Sequence, residues 1–163
     1  MRHARLVPLI ALPALAAGTL LLGTGASAQD PAARTLTFKE TERGATFVHI
    51  RNTKAKPRTA NRQGDLLAFT NPLVDAGGAS IGKLAMSCVT TTGARDFRNS
   101  ILSCSGVIAL RDGTLTVQAQ LAMSAPVVTG AVTGGTGAYA NARGVFVSEP
   151  VSGGAQDTIT LVP

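Results

Sequence analysis

The chain has 163 residues, 45% of them hydrophobic, 15% charged and 4% aromatic, with a formal net charge of +6. That length excludes more than one full-sized domain and core. Gly, Thr, Ala and Val outweigh the charged residues, a balance that suits strands and turns and argues for an all-β domain.

The N-terminus begins with basic residues, Arg2, His3 and Arg5. An apolar stretch over 6–22 follows, broken only by Pro8, Pro13, Gly18 and Thr19, and then Ala26-Ser27-Ala28 offers a small-x-small cleavage pattern. This anatomy reads as a secretory signal over 1–28, with a membrane anchor that stays in place as the alternative. No cysteine lies near the cleavage point, so a lipid-modified N-terminus is not expected. No later apolar run approaches the roughly 20 residues that span a bilayer, so no stable anchor is expected after cleavage. Cleavage leaves residues 29–163, with 13 Lys and Arg against 9 acids, a modest basic balance. Residues 29–34 read as a flexible leader and 35–163 as the folded domain. The location implied is secreted, either extracellular or in the periplasm and cell envelope.

Early strands are expected over 36–41, 45–50 and 65–70, with a long polar loop over 51–63. The next two, 81–91 and 98–110, flank Gly93-Ala94-Arg95-Asp96. A hairpin folded about position 96 makes opposed residues sum to 192, as Cys88 and Cys104 do. Directly opposed residues on antiparallel strands lie within disulfide reach, and export supplies an oxidising compartment. A free thiol lining a pocket is the alternative. A tight turn at Asp112-Gly113 then pairs Leu110 with Leu115, Ile108 with Val117, Gly106 with Ala119 and Cys104 with Leu121. The opposite face carries Arg111, Thr114, Thr116, Gln118 and Gln120, so period two holds on both strands. Leu84, Met86 and Cys88 continue the apolar face on the strand before. Late strands are expected over 127–133, 143–148 and 157–162. Eight or nine short strands at regular spacing, with no helical apolar period, suggest a sandwich or a closed barrel. Closure removes exposed edges.

Three stretches carry a family resemblance. Gly64-Asp65-Leu66-Leu67-Ala68-Phe69-Thr70-Asn71-Pro72-Leu73 and the strand from Ile81-Gly82 to Cys88 resemble segments of plant allene oxide cyclases. Thr133-Gly134-Gly135-Thr136-Gly137-Ala138-Tyr139-Ala140-Asn141-Ala142-Arg143-Gly144 resembles a hallmark those cyclases share with plant dirigent proteins. The segments fall in the right order across 36–161, and the match is best to a bacterial, exported branch. The resemblance implies an eight-stranded antiparallel closed barrel, often trimeric, with cyclase-like or dirigent-like activity.

The glycine motif has a structural reading as a turn. Gly134, Gly135, Gly137 and Gly144 would permit backbone angles denied to other residues, and Tyr139 would cover the barrel end. A phosphate cradle fails on context: no Lys-Ser/Thr follows, and 143 onward reads as strand.

Leu36, Phe38, Glu40 and Glu42 alternate on one face of the first strand. A carboxyl inside an apolar barrel has a raised pKa and can act as acid or base. The alternative is that the strand has ended and both glutamates are solvated. The resemblance implies a catalytic role for Glu40, while Glu42 stands where the cyclases carry asparagine. Asn71 matches an asparagine that helps hold a pocket water in the cyclases, and Cys88 matches a pocket cysteine. An inward Asn71 could instead bond the backbone near Pro72. The pocket Pro and Ser of the cyclases have no clear counterpart in 41–50. Phe38, Glu42, Leu67, Phe69 and Met86 are the expected ligand contacts, and Glu40 and Asn71 the candidate catalytic pair.

His49 is the sole histidine after the signal, so no zinc or other metal site is expected, and no cofactor. His49 reads as a surface or packed residue. Arg51, Lys54, Lys56, Arg58 and Arg62 form an acid-free run that reads as a solvated loop or a contact for anionic envelope polymers. No aromatic residue interleaves the run, and nucleic-acid binding is not expected. Two functions follow. One is a barrel that encloses a small apolar molecule and steers its cyclisation or coupling. The other is a non-catalytic envelope or interaction protein with a packed barrel. A hydrolase ranks last, since no nucleophile motif appears.

Overall fold

The computed structural model describes residues 33–56 and 61–163. The expected signal, most of the leader and Arg58 lie outside the described residues. Nine strands follow in order: β1 (Arg34–Thr41), β2 (Thr46–Ile50), β3 (Leu66–Val74), β4 (Ser80–Thr92), β5 (Ile101–Leu110), β6 (Gly113–Ala122), β7 (Val128–Gly137), β8 (Gly144–Val151) and β9 (Gly154–Leu161). β1 begins at Arg34, inside the segment expected to be leader. All pairings are antiparallel, and the order runs β1-β9-β8-β7-β6-β5-β4-β3-β2.

The ring closes because β1 also pairs with β3, through Lys39 with Val74 and Glu40 with Leu73. β2 pairs with the first half of the same edge, Thr46 with Thr70 through Ile50 with Leu66. β1 and β2 are therefore two segments of one interrupted stave, and the barrel is eight-stranded. The interruption spans 42–45, and Pro72 lies against Gly44 there. β3 thus runs past residue 70, where the sequence reading ended it. A proline is tolerated at a break in the ladder because no partner requires its missing N–H.

Alternation along the strands sends Leu73, Leu84, Leu102, Ile108, Leu115, Val117, Phe146 and Ile159 inward, each at most 3% exposed. The β4–β5 register is the one the sequence predicts: Cys88 stands opposite Cys104, and the two are disulfide-bonded with Cα atoms 4.0 Å apart. That bond removes the free-thiol alternative.

The β5–β6 register needs a correction of two residues. Ile108 pairs with Leu115, Gly106 with Val117 and Cys104 with Ala119, while Leu110 pairs with Gly113 itself. The turn is Arg111-Asp112, because Gly113 is needed in the ladder: a Cβ there would lie 2.1 Å from the Thr136 carbonyl oxygen. A slip of two keeps every side chain on its face, so the predicted core survives it.

The glycine motif is also placed differently. Gly134, Gly135 and Gly137 belong to β7, and Gly144 opens β8, so the turn is 138–143. Of the first three only Gly137 has a left-handed φ, +61°. Gly135 is required by close approach, since a Cβ would meet the Tyr139 carbonyl oxygen at 2.3 Å. The strand can therefore press against the turn that delivers Tyr139, which is 4% exposed and closes this end of the barrel. The Arg34 guanidinium lies 5.1 Å from the Tyr139 ring centroid. Burial pushes the Tyr139 hydroxyl above its ordinary pKa, and its hydrogen bond to the Asp112 carboxylate adds to the shift. Tyr139→Phe is expected to cost about 1 kcal/mol, the net worth of one such bond. A urea midpoint equal to wild type would leave the hydroxyl without a structural role.

Candidate functional site

The interior polar groups come together on the β1, β3, β8 and β9 walls. Glu40 follows Leu36 and Phe38 in inward phase and is 6% exposed. The Asn71 side-chain amide donates to Glu40 Oε2, which fixes the carboxylate from the β3 side. On the other side, β9 brings Asp157 opposite Phe38, and β8 brings Ser148 opposite Asp157. Asp157 is fully buried. No hydrogen bond of ordinary geometry reaches either of its oxygens, though the Ser148 hydroxyl and the Glu40 carboxyl are close enough to act on it. Its pKa is pushed up to about 8, first by burial and then by the charge of Glu40, with the Ser148 hydroxyl opposing. Near neutral pH the Asp157–Glu40 pair therefore favours keeping one proton over ionising both acids.

Glu40 and Ser148 line an internal cavity of about 170 Å³ at the end of the barrel opposite Tyr139. The rest of its wall is apolar, from Phe69, Leu84, Met86, Leu121, Val128 and Phe146, with Cys104 of the disulfide among them. Pockets for drug-sized ligands usually run from about 300 Å³ upward. The cavity is smaller than that, equal to about five or six waters of liquid volume. Of the larger depressions, two, of about 660 and 750 Å³, lie on the outer wall among Ala68, Ser87, Ser105 and Gln118. Neither contains a buried acid.

Among the expected ligand contacts, Phe69 and Met86 line the cavity. Phe38 and Leu67 are buried core side chains outside its wall. Glu42 is a correction: the chain bends at the interruption, the Glu42 N–H bonds the Gly153 carbonyl, and the side chain is exposed. The two glutamates thus part company, one inside and one in solvent. Asn71 bonds Glu40 rather than the backbone near Pro72.

His49 is part-buried, and its Nε2 lies 3.0 Å from Asp65 Oδ2. Burial alone would raise the Asp65 pKa. The backbone N–H groups of Arg62 and Asn52, together with His49, outweigh it and hold the carboxyl below its ordinary value. Asp65 is thus the clasp of the β2–β3 connection. The segment is the polar loop expected, with Arg51, Lys54 and Lys56 exposed, but its second half is tied down. Asn61 is fully buried and bridges to Ala94, and Arg62 donates to the Asn52 carbonyl. Among the described residues, no group of three or more His, Cys, Asp or Glu is placed to hold a metal.

Sequence reasoning missed Asp157 and Ser148. The signal for Asp157 was present: it shares the alternation phase of Ile159 and Leu161 on β9, so an inward carboxyl was implied.

The chain belongs to the allene oxide cyclase barrel-like domain family, whose model matches residues 45–159. Among solved structures it is similar to a pyocyanin demethylase, at 24% identity and a TM-score of 0.65, over 79% of this chain and 100% of that one. It is similar to a pterocarpan synthase dirigent protein at 22% identity and a TM-score of 0.58, over 81% of this chain and 86% of that one. A heme-binding cyclase that catalyses a [4 + 2] cycloaddition during neoabyssomicin biosynthesis aligns at 15% identity and a TM-score of 0.58. That match covers 85% of this chain and 70% of the cyclase. At these identities the likeness is one of fold. No curated protein matches the sequence.

Proposed function

We propose that this is an exported barrel that binds a small, mostly apolar ring compound in the cavity and steers its reaction by proton transfer. One observation carries the reading: a buried acid, Asp157, is close enough to act on a second acid, Glu40, which lines a cavity that is apolar apart from Glu40 and Ser148. Glu40, oriented by Asn71, is the group that meets the ligand. Asp157 is the positioning residue that keeps a proton next to it. When the proton of the pair sits on Glu40, a ring bearing a carbonyl or a basic nitrogen would accept a hydrogen bond from its carboxyl, while Phe69, Met86 and Phe146 take the ring's faces. The structural neighbours that support this reading include a pyocyanin demethylase, a cyclase that catalyses a [4 + 2] cycloaddition and a pterocarpan synthase dirigent protein. Export is supported by the N-terminal segment and by the disulfide.

The cavity volume favours a ligand that inserts one ring and leaves the rest at the mouth. Phe47 shares the face of its cross-strand partner Phe69 and is 62% exposed, placed to cover that outer part. The same small volume is the observation that favours the second reading, a packed and non-catalytic barrel.

Native mass spectrometry of the protein from its producing culture should show a retained small molecule. Glu40→Gln should lower turnover of that compound's precursor by at least about 100-fold. Unchanged turnover would remove Glu40 from the mechanism. Failure to retain any molecule, with no thermal stabilisation by single-ring carbonyl or pyridine compounds, would favour the packed barrel.

A further inference from the structure

We propose that the end of the barrel opposite Tyr139 docks on an anionic lipid surface. The Asn61–Ala94 bridge draws the β2–β3 and β4–β5 connections together. Gly93 sits so close to the 61–63 backbone that a Cβ would lie 2.5 Å from the Asn61 carbonyl oxygen. The two loops therefore form one surface rather than two independent tips.

That surface is cationic. Arg51, Lys54 and Lys56 on the first loop and Arg95 and Arg98 on the second are all exposed. The acids on the described residues of these loops are already engaged. Asp65 is buried and spent on two backbone N–H groups and His49. Asp96 caps the N–H of Arg98. Five exposed cations thus face solvent with a single exposed acid among them.

A second feature decides the partner. Ile50, Leu66 and Val89 are consecutive cross-strand partners on β2, β3 and β4, pointing outward at the base of these loops. They are 59%, 45% and 42% exposed. A soluble polyanion would use the cations and ignore a row of branched aliphatic side chains. An anionic bilayer uses both, with headgroup phosphates on the Lys and Arg side chains and the aliphatic row in the interfacial layer. This docking does not depend on the cavity chemistry, and its test contains no cavity ligand.

The barrel closes within 34–161, so the chain from Gln29 onward is the protein to use. Its partition onto vesicles containing phosphatidylglycerol should exceed that onto pure phosphatidylcholine and should collapse in high salt. The pair Lys54→Gln and Arg95→Gln should lower partition about 25-fold, about fivefold for each cation. Ile50→Ser should lower it about tenfold. All three side chains are exposed, so the unfolding midpoints should match wild type, and light scattering reads the oligomeric state of each variant. Equal partition onto neutral vesicles, or none onto anionic ones, would overturn the proposal. So would binding to dextran sulfate that equals vesicle binding and is unchanged by Ile50→Ser, which would assign the surface to a polymer. A loss of vesicle binding in Ile50→Ser that tracks dissociation of an oligomer would assign the aliphatic row to a second copy instead.

Discussion

The Asp157→Asn variant is expected to be more stable than wild type above neutral pH, by an amount on the order of a few kcal/mol. In the unfolded chain this carboxyl titrates at its ordinary value, 3.8, whereas in the barrel it titrates at about 8. Between those limits the folded state holds a proton that the unfolded state has released. The contribution of Asp157 is therefore fully present below about pH 4 and is lost as pH climbs toward 8. Asparagine keeps the shape of the protonated acid and has no proton to lose, so that slope should vanish. Asp65 works in the opposite sense. Its pKa is lowered by its donors, so its share of stability is lost as pH falls below 3.8. Urea unfolding of both proteins at several pH values above 4.5 isolates Asp157. Parallel curves across that range would mean that the acid is not held protonated, and the proton-transfer reading would lose its foundation.

Breaking the Cys88–Cys104 bond is expected to destabilise the barrel by about 3 kcal/mol, from a closed loop of 16 positions. For a domain of this size that lowers Tm by an amount on the order of 10 °C. Reduction of the wild-type protein is the cleaner experiment, because it leaves both buried sulfurs in place and changes only the cross-link. The Cys88→Ala, Cys104→Ala pair should lose somewhat more, since both side chains are at most 4% exposed and their removal leaves a void. A midpoint that stays put after reduction, with the mass gain of two hydrogens verified, would show that the bond adds nothing to a ladder that already pairs these strands.

The β4–β5 pairing was legible to the residue because two independent signals, the centre of the turn and the cysteine spacing, had to agree. The β5–β6 pairing slipped because Gly113 looks like a turn residue, and only the third dimension shows the Thr136 carbonyl that excludes a side chain there. Glu40 was placed inward by its alternation with Leu36 and Phe38, while its role and that of Asn71 came from resemblance; their mutual hydrogen bond was not foreseen, because it joins strands that meet only when the ring closes. Glu42 was misjudged because strict alternation was carried two residues past the point where the stave breaks. Asp157 escaped notice for the converse reason, since an acid in apolar phase is normally discounted as a strand end. The cavity volume lay beyond sequence reasoning altogether. It depends on how Phe69, Met86 and Phe146 pack against one another.

The ring is joined at β1 and β3 by only two residue pairs, whereas β4 and β5 share ten. One of those two is Glu40 with Leu73, so the thinnest join and the principal acid coincide. Thermal breathing of the shell starts where the fewest bonds must break. Water entering by that route would arrive beside Glu40, so proton exchange with the interior would depend on how often this seam opens.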